Sequence, residues 1–355
     1  GDDGDDDLTI EYGRPGYSDD VGDSPTGTLS LYGGAGNDFI GVDAPEAWAG
    51  DLPFTLLATS MYGGPGDDTI QGTKVNINSD GTFDGNSADR LYGGPGNDTY
   101  RLFGPATIVE GAGKGYDTVI MRDGDFTLPA NVEKLVLEDR GYYQYGWSGT
   151  GNNLDNVIIG TSYTDTLDGA GGNDRIFGGD DRDSIYGGAG NDSLAGQAGD
   201  DTLYGGLGND HLGGGTGNDV LYGQGGGDVL TGRLGSDQLS GGGGNDRFVY
   251  ETIADSLPGD GIRDNIIGFG NVGANRGDVI DLAKIDADTT KGGNQAFTFV
   301  GEADLTAPGQ LRVIGEGMNS LIQGEVDGKA GADFEILVSG ITAEPGDWVA
   351  QDFIL

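Results

Sequence analysis

The feature that most restricts the fold of this chain is a nine-residue repeat. From Gly151 to Val249 the sequence divides into eleven consecutive units of nine residues. The sixth position is Asp in ten of them and Asn156 in the first, and the eighth is always a large apolar residue, from Ile158 to Phe248. Two such fixed positions indicate a solenoid, in which each unit packs only against its neighbours.

The two halves of a unit predict different local structures. In Gly187 to Ala195, Gly-Gly-Ala-Gly-Asn-Asp is followed by Ser-Leu-Ala. The glycines allow positive φ, so the backbone can curl with its carbonyl oxygens pointing inward, and the Asp adds a charged oxygen. The last three residues are expected to form a very short strand that places one apolar side chain in a core. The first half therefore predicts a site for a hard cation.

The overall composition agrees with turns that carry metal ligands. The 355 residues include 59 acidic and 18 basic ones, 74 glycines and no cysteine, and the net charge is -41. Bound divalent cations would relieve this repulsion, and without them the chain is expected to be partly unfolded. The acidity argues against nucleic acid or an anionic membrane surface as partner, and no apolar run is long enough to predict a transmembrane segment.

The units match the pattern G-G-x-G-x-D-x-U-x, where U is a large apolar residue, and so resemble the calcium-binding repeats of RTX proteins. The resemblance implies an all-β fold, a right-handed parallel β-roll or solenoid in which two units form one coil. Unit n would stack on unit n+2, with Ca²⁺ ions between stacked turns. Because the apolar column is thin, calcium binding and folding are expected to be one event. The expected ligands are Asp165, Asp183, Asp201, Asp219 and Asp237 on one edge, and Asp174, Asp192, Asp210, Asp228 and Asp246 on the other.

Departures from the pattern rank these turns by how well they are expected to bind calcium. The units at 187–195, 205–213 and 214–222 keep every glycine of the turn and are expected to be the best sites. Other units replace the glycine at position four or position two, and these replacements are Tyr163, Asp181, Gln197, Gln224 and Arg233.

The same pattern recurs with insertions before residue 151. Gly1 to Thr9 already fits it, so we expect the chain to be a fragment or a processed product. Further units begin at Gly33, Gly63 and Gly93, 30 residues apart, which we interpret as one coil plus an inserted loop. A degenerate unit spans Ala112 to Ile120. The expected calcium ligands of this half are Asp6, Asp38, Asp68, Asp98 and Asp117.

The pattern predicts three parts. Residues 1–150 form an irregular β-roll with 30-residue periods and insertions, residues 151–249 a regular roll, and residues 250–355 a β-rich C-terminal cap. Within the first part, Asp125 to Glu138 is interpreted as a strand and turn that rejoin the roll, with a separate small β domain as the alternative.

The C-terminal part resembles the C-terminal domain of serralysin-type metalloproteases. The resemblance lies in residues 264–269, 278–282, 295–299 and 352–355, and strand-like runs cover 296–300, 310–314, 320–323 and 334–338. It implies export by a type I secretion machinery through an uncleaved C-terminal signal, and folding outside a Gram-negative-type bacterial cell, where calcium is plentiful. Glu325 to Asp333 is either a degraded calcium loop or a loop that binds nothing, because Lys329 stands where an acid is expected.

No catalytic set is evident. The one histidine, His211, cannot supply the H-E-x-x-H zinc motif of the serralysins, and a Ser or Thr nucleophile would lack its base. We expect His211 to face solvent. Aromatic residues at Tyr142, Tyr143, Tyr145 and Trp147 form either a sugar-binding platform or packing over the end of the roll, and Trp48 or Phe54 could mark a contact loop.

The sequence leaves three functions open. The first is an extracellular, non-enzymatic calcium-binding module of a cell-surface layer, adhesin or filament, with self-association or a cell-surface polysaccharide as its contact. The second is the calcium-binding secretion domain of a larger secreted enzyme, such as a serralysin-like protease. The third, an enzyme built on the solenoid itself, has the least support, since no catalytic set accompanies the repeats.

Overall fold

A computed structural model of the chain describes residues 4–11, 29–43, 59–72, 89–122, 124–139, 145–270, 272, 277–329, 331–341 and 343–355. They fall into two compact units, Gly1–Gly160 and Thr161–Leu355. The described residues form β-strands and three short 3₁₀ helices, and none of their helices is long and apolar enough to cross a membrane. The fold is all-β, as the repeats predict, whereas the three-part division stays a prediction.

The first unit is built from parallel strands, and each strand pairs with a strand of a neighbouring coil. One sheet has the order β1-β3-β5-β7-β9-β11-β13, a second β2-β4-β6-β8, and β10 pairs with β12. The strands are β1 (Asp7–Glu11), β2 (Leu29–Tyr32), β3 (Phe39–Asp43), β4 (Thr59–Tyr62), β5 (Thr69–Gln71), β6 (Asp89–Tyr92), β7 (Thr99–Leu102), β8 (Ala106–Ile108), β9 (Thr118–Met121), β10 (Phe126–Thr127), β11 (Lys134–Leu137), β12 (Ser148–Thr150) and β13 (Val157–Ile159).

Strand register in this unit follows the 30-residue period. Ile40 pairs with Ile70, and Leu31 pairs with Met61, each 30 residues further along the chain. Strand β11 pairs with β9 and β13, so the segment from Asp125 to Glu138 rejoins the roll as predicted.

The second unit is a regular parallel β-roll with a C-terminal extension. One sheet has the order β15-β17-β19-β21-β23-β25-β30 and the other β14-β16-β18-β20-β22-β24-β29-β28-β27-β26. The strands are β14 (Thr166–Asp168), β15 (Arg175–Asp180), β16 (Ser184–Ala189), β17 (Ser193–Ala198), β18 (Thr202–Leu207), β19 (His211–Thr216), β20 (Val220–Gly225), β21 (Val229–Leu234), β22 (Gln238–Gly243), β23 (Arg247–Val249), β24 (Asp264–Ile267), β25 (Val279–Asp281), β26 (Thr298–Phe299), β27 (Gln310–Glu316), β28 (Asn319–Glu325), β29 (Phe334–Ser339) and β30 (Phe353–Ile354). The 3₁₀ helices are Ile253–Asp255, Pro345–Asp347 and Ala350–Asp352.

Successive strands of each sheet are offset by 18 residues, so two units make one coil. Leu194 pairs with Leu212, and Leu203 pairs with Leu221. The apolar residue at position eight is buried throughout and forms the core between the sheets. On the outer face, tyrosines at position nine stack with ring centroids 4.6 to 5.1 Å apart, in the rows Tyr32, Tyr62 and Tyr92 and Tyr186, Tyr204 and Tyr222.

The strands of the regular roll are longer than the sequence predicted. Strands β15 to β22 each have six residues, because they continue through positions one to three of the next unit. The position-one glycine is buried on the core face, two residues after the buried apolar residue. A Cβ placed on Gly187 would lie 2.5 Å from Asp192 Oδ2 and 2.5 Å from the carbonyl oxygen of Gly205. Glycine is needed there because there is no space for a side chain, and the prediction of a three-residue strand was wrong.

The two sheets continue beyond the strict repeat. Strand β24 adds to β22, and β25 adds to β23, although the chain spacing has changed. The predicted runs near residues 298, 310, 320 and 334 are confirmed as β26 to β29, of which β27, β28 and β29 form an antiparallel meander. Phe269, Trp348 and Phe353 pack together over this end, and Phe353 lies in β30.

Candidate metal centres along the aspartate rows

The turns between strands depend on left-handed backbone at positions two and four. In the unit at 187–195, Gly188 has φ 107° and Gly190 has φ 137°. Non-glycine residues keep the same conformation in other turns, which costs about 1 to 2 kcal/mol per residue. These residues are Ala170, Asp181, Gln197, Gln224 and Arg233. These five positions therefore keep the backbone shape of the pattern, whereas Tyr163 is not among the residues with positive φ. The ranking of sites stays a prediction.

The position-six aspartates of the second unit form two hydrogen-bonded rows. In each row the backbone N–H of one aspartate donates to Oδ1 of the aspartate in the next coil, at 2.7 to 2.9 Å. The first row is Asp165, Asp183, Asp201, Asp219, Asp237 and Asp264, and the second is Asp174, Asp192, Asp210, Asp228, Asp246 and Asp278. The predicted stacking is thus observed, and the rows gain two members, Asp264 and Asp278, that the sequence reasoning missed.

The described residues of the first unit form one such row. The backbone N–H of Asp6 donates to Asp38 Oδ1, and the same 2.8 Å bond recurs along the row to Asp117. The row ends when the N–H of Asp117 donates to the carboxylate of Glu133. Its members are Asp6, Asp38, Asp68, Asp98, Asp117 and Glu133. On the opposite edge a single bond of this kind, from Thr59 N–H to Asp89 Oδ1, is found among the described residues.

The second carboxylate oxygen of the row aspartates, Oδ2, is the atom that indicates metal binding. In most of these aspartates Oδ2 is buried and accepts no hydrogen bond from the described residues; this holds for Asp38, Asp68, Asp98, Asp183, Asp201, Asp210, Asp219, Asp228, Asp237 and Asp246. A buried charged oxygen without a partner is costly unless a cation neutralises it. Each of these Oδ2 atoms lies next to the position-one glycine of its own unit, in most cases close to a carbonyl oxygen of the following coil. Carboxylate and carbonyl oxygens are the ligands that Ca²⁺ prefers.

Burial raises the pKa of many of these carboxyl groups. Loss of hydration is the largest cause, and neighbouring carboxylates add to it, while the backbone N–H bond acts in the opposite direction. The pKa of Asp183 is raised to about 8, and that of Asp219 and of Asp98 to about 7. The pKa of five further members is raised to about 6, namely Asp68, Asp117, Asp201, Asp237 and Asp246.

A second set of side chains, at position five, ties the turns together in the opposite direction. The backbone N–H of Asn209 donates to Asn191 Oδ1 at 2.7 Å, and that of Asn191 donates to Asn173 Oδ1. In the first unit Asp67 N–H donates to Asn37 Oδ1 in the same way. These residues are exposed, and the repeat pattern leaves position five open, so no sequence signal singled them out.

Two other predicted features are His211 and the loop from Glu325 to Asp333. His211 is exposed, as expected. Glu325, Asp327 and Asp333 offer oxygens within 4.8 Å of one another, but Asp333 Oδ2 already accepts from two backbone N–H groups and Lys329 pairs with Asp327. Whether this loop is a degraded calcium loop stays a prediction.

Of the aromatic residues proposed as a sugar platform, Tyr145 is exposed and Trp147 is partly exposed. The remaining ones, Tyr142, Tyr143, Trp48 and Phe54, lie outside the described residues.

A family model for the RTX calcium-binding nonapeptide repeat matches residues 30–43, 60–74, 83–101, 150–185, 177–212 and 213–248. The chain carries RTX calcium-binding nonapeptide repeats. The matched segments contain the position-six aspartates from Asp38 to Asp246, apart from Asp117, and the chain is a calcium-binding repeat module.

One solved structure similar to this chain is the AlgE6R3 subunit of the mannuronan C5-epimerase from Azotobacter vinelandii. It is 26% identical, the match covers 44% of this chain and 77% of the subunit, and the TM-score is 0.32. None of the curated proteins compared with the chain matches it.

Proposed function

We propose that the chain is an extracellular structural module that folds on binding several calcium ions after type I secretion, as part of a cell-surface layer, adhesin or filament. The observation that carries this proposal is the set of buried, unpartnered Oδ2 atoms that recurs from coil to coil in both units. Bound Ca²⁺ would neutralise these charges and join neighbouring turns, while the thin apolar core contributes one large side chain per nine residues.

The residues that would hold the ions are the position-six aspartates, through Oδ2, together with carbonyl oxygens of the adjoining turns. Oδ1 remains bound to the backbone N–H of the preceding coil, so one carboxylate serves both the hydrogen-bonded row and the ion. The role is structural because the donors are spread along the whole roll instead of converging on one cleft. A surface polysaccharide or a second copy of the chain is the proposed contact.

A charge-matched pair of substitutions tests the calcium ligands. Asp210→Asn keeps the Oδ1 acceptor but removes the charge at Oδ2, whereas Asp180→Asn removes the same charge from an exposed position in strand β15. Asp210→Asn should raise the calcium concentration at half-folding, followed by circular dichroism, by about tenfold, and Asp180→Asn should leave it nearly unchanged. Equal shifts in both variants would contradict the assignment of the row.

The surface role has its own test. Antibody against the chain should detect it on the outside of intact producing cells, and a wash with EGTA should release it. Recovery from the medium as part of a larger polypeptide with hydrolase activity would instead support the alternative, a secretion domain of a secreted enzyme.

A further inference from the structure

Glu110 lies beside the row of the first unit, two residues after strand β8. Strand β8 pairs with β6 so that Ile108 lies opposite Leu91, and the N–H of Val109 donates to the carbonyl oxygen of Leu91 at 2.9 Å. Two residues after this pair, Glu110 stands opposite Gly93. Earlier coils have glycine at the corresponding place, Gly33 and Gly63, so a carboxylate replaces the position-one glycine here.

This carboxylate enters the space into which the aspartates of the row point. Glu110 Oε1 accepts a hydrogen bond from the hydroxyl of Tyr100. A Cβ placed on Gly93 would overlap Asp98 Oδ2, Glu110 Oε1 and the Tyr100 hydroxyl. All three oxygens therefore surround the same small space next to Gly93. At Gly63, by contrast, a Cβ would meet Asp68 and the carbonyl oxygen of Gly93.

Three carboxylates converge at this place. Asp98, Glu110 and Asp117 each offer an oxygen within 4.8 Å of the others, and their exposed fractions are 1%, 8% and 1%. None of the three forms an ion pair with a described Lys or Arg. Mutual repulsion in a buried place has to be offset, either by protonation or by a bound cation.

One oxygen of the cluster has no partner. Asp98 Oδ2 is buried and accepts no hydrogen bond from the described residues, although it points at Glu110. The Oδ1 atoms of Asp98 and Asp117 are already bound to the backbone N–H groups of Asp68 and Asp98. The remaining carboxylate oxygens and a phenol hydroxyl make an all-oxygen donor set, which suits a hard divalent cation.

We propose that Asp98, Glu110 and Asp117 hold a calcium ion at the end of the first unit's row, in a site whose extra carboxylate makes it the tightest of that unit. Affinity of calcium sites rises with the number of charged ligands, and Glu110 supplies a side-chain carboxylate where regular turns supply a main-chain carbonyl. Tyr100 orients Glu110. The proposal rests on the calcium-binding role of the row, since Asp98 and Asp117 belong to it.

Calcium titration calorimetry of the full chain tests this site with three variants. Glu110→Gln removes the charge, and Glu110→Gly restores the residue that Gly33 and Gly63 provide in earlier coils. Glu344→Gln removes an exposed carboxylate from the second unit and serves as the control. Both Glu110 variants should bind one calcium ion fewer than the parent, or bind it about tenfold more weakly, while Glu344→Gln behaves as the parent.

The outcomes separate this inference from the proposed function. If Glu110→Gly folds in calcium and binds the same number of ions with the same affinities as the parent, Glu110 is not a ligand and the inference fails. A Glu110→Gln variant that loses its fold is judged by Glu110→Gly, whose glycine fits the roll. If the unsubstituted chain takes up no calcium, the proposed function itself fails.

Discussion

The two units use the same aspartate row on coils of different length. In the second unit the bond between Asp192 and Asp210 joins residues 18 apart, as most bonds of its rows do. In the first unit the Asp38–Asp68 and Asp68–Asp98 bonds join residues 30 apart, yet all three are 2.8 Å long. In the sequence, the additional residues of the first unit come between β1 and β2, β3 and β4, and β5 and β6, outside the turns that carry its row. Those turns, 33–38, 63–68 and 93–98, therefore keep the six-residue length that they have in the regular roll.

The units also differ in the number of rows. The second unit has one along each edge, and the described part of the first has one row and the single Thr59–Asp89 bond. Each coil of the first unit thus offers fewer acidic oxygens to calcium. We expect its folding to require more calcium than that of the second unit.

Calcium removal should have the largest effect and should separate the units. Chelation with EGTA at neutral pH should abolish most of the β signal in circular dichroism, because the buried carboxylates lose their neutralising ions. In hydrogen exchange at graded calcium, amides at 59–72 and 89–122 should lose protection at a higher calcium concentration than amides at 175–248. An unchanged dichroism spectrum, or simultaneous loss in both units, would break the comparison.

Acidification should partly replace calcium. In the fold, the pKa values of Asp68, Asp98 and Asp183 lie above the ordinary value of 3.8, so protonation of these groups favours folding. This contribution is complete below about pH 4 and is lost as the pH rises through about 6, 7 and, for Asp183, about 8. In buffer freed of calcium by a chelating resin, β structure should therefore increase when the pH falls from 8 to 5.

The order of this acid effect also compares the units. The pKa of Asp183 in the second unit is raised to about 8, and that of Asp98 in the first to about 7. Protection should then return at a higher pH in the second unit. With calcium present the dependence reverses, since protons compete with the ion, and acidification should raise the calcium midpoint. A calcium-free chain that loses structure on acidification would contradict the burial of these groups.

Substitution at position one should cost the same in both units. Gly187→Ala and Gly63→Ala each place a Cβ against an aspartate and a main-chain oxygen, an overpacking worth about 1 to 3 kcal/mol. In Gly213→Ala, the control, the nearest atom to the new Cβ is 3.9 Å away. Urea unfolding in saturating calcium gives the free energies. If Gly213→Ala destabilises as much as the other two, crowding by the aspartate is not the reason for glycine.

The exposed position-five bonds should matter least. Asn191→Ala removes an acceptor for one backbone N–H, and Asn37→Ala does the same in the first unit, each at a cost of about 0.5 to 1.5 kcal/mol. Asn191→Asp keeps the acceptor and should be nearly neutral in urea unfolding. Equal losses for Asn191→Ala and Asn191→Asp would mean that the side-chain oxygen does not hold the turn.

The core and the main rows were predicted by counting along the sequence together with the two units per coil that the resemblance to RTX repeats implies. Counting failed where the spacing changes. Asp264 and Asp278 join the rows 27 and 32 residues after their partners, which a fixed period cannot reveal. Glu110 was missed for a related reason, since only strand pairing shows that it stands in a glycine's place.

Strand length was misjudged for a different physical reason. A run of glycines favours turns when it is considered alone. The position-one glycine is required because the aspartate five residues later and a carbonyl oxygen of the next coil leave no space for a side chain. This requirement comes from packing between coils and is not visible in the local sequence. The position-five bonds escaped for the opposite reason, because Asn, Asp and other residues share a position that the repeat leaves variable.

The 18-residue register limits how the regular roll can change in length during evolution. Consecutive nine-residue units alternate between the two sheets, and the strands that follow are committed: β24 must meet β22, and β25 must meet β23. Deleting one unit would transfer every later strand to the opposite sheet, although each unit would still satisfy the motif. Gain or loss by pairs of units leaves every downstream contact in place, so the roll can grow or shrink only in even steps.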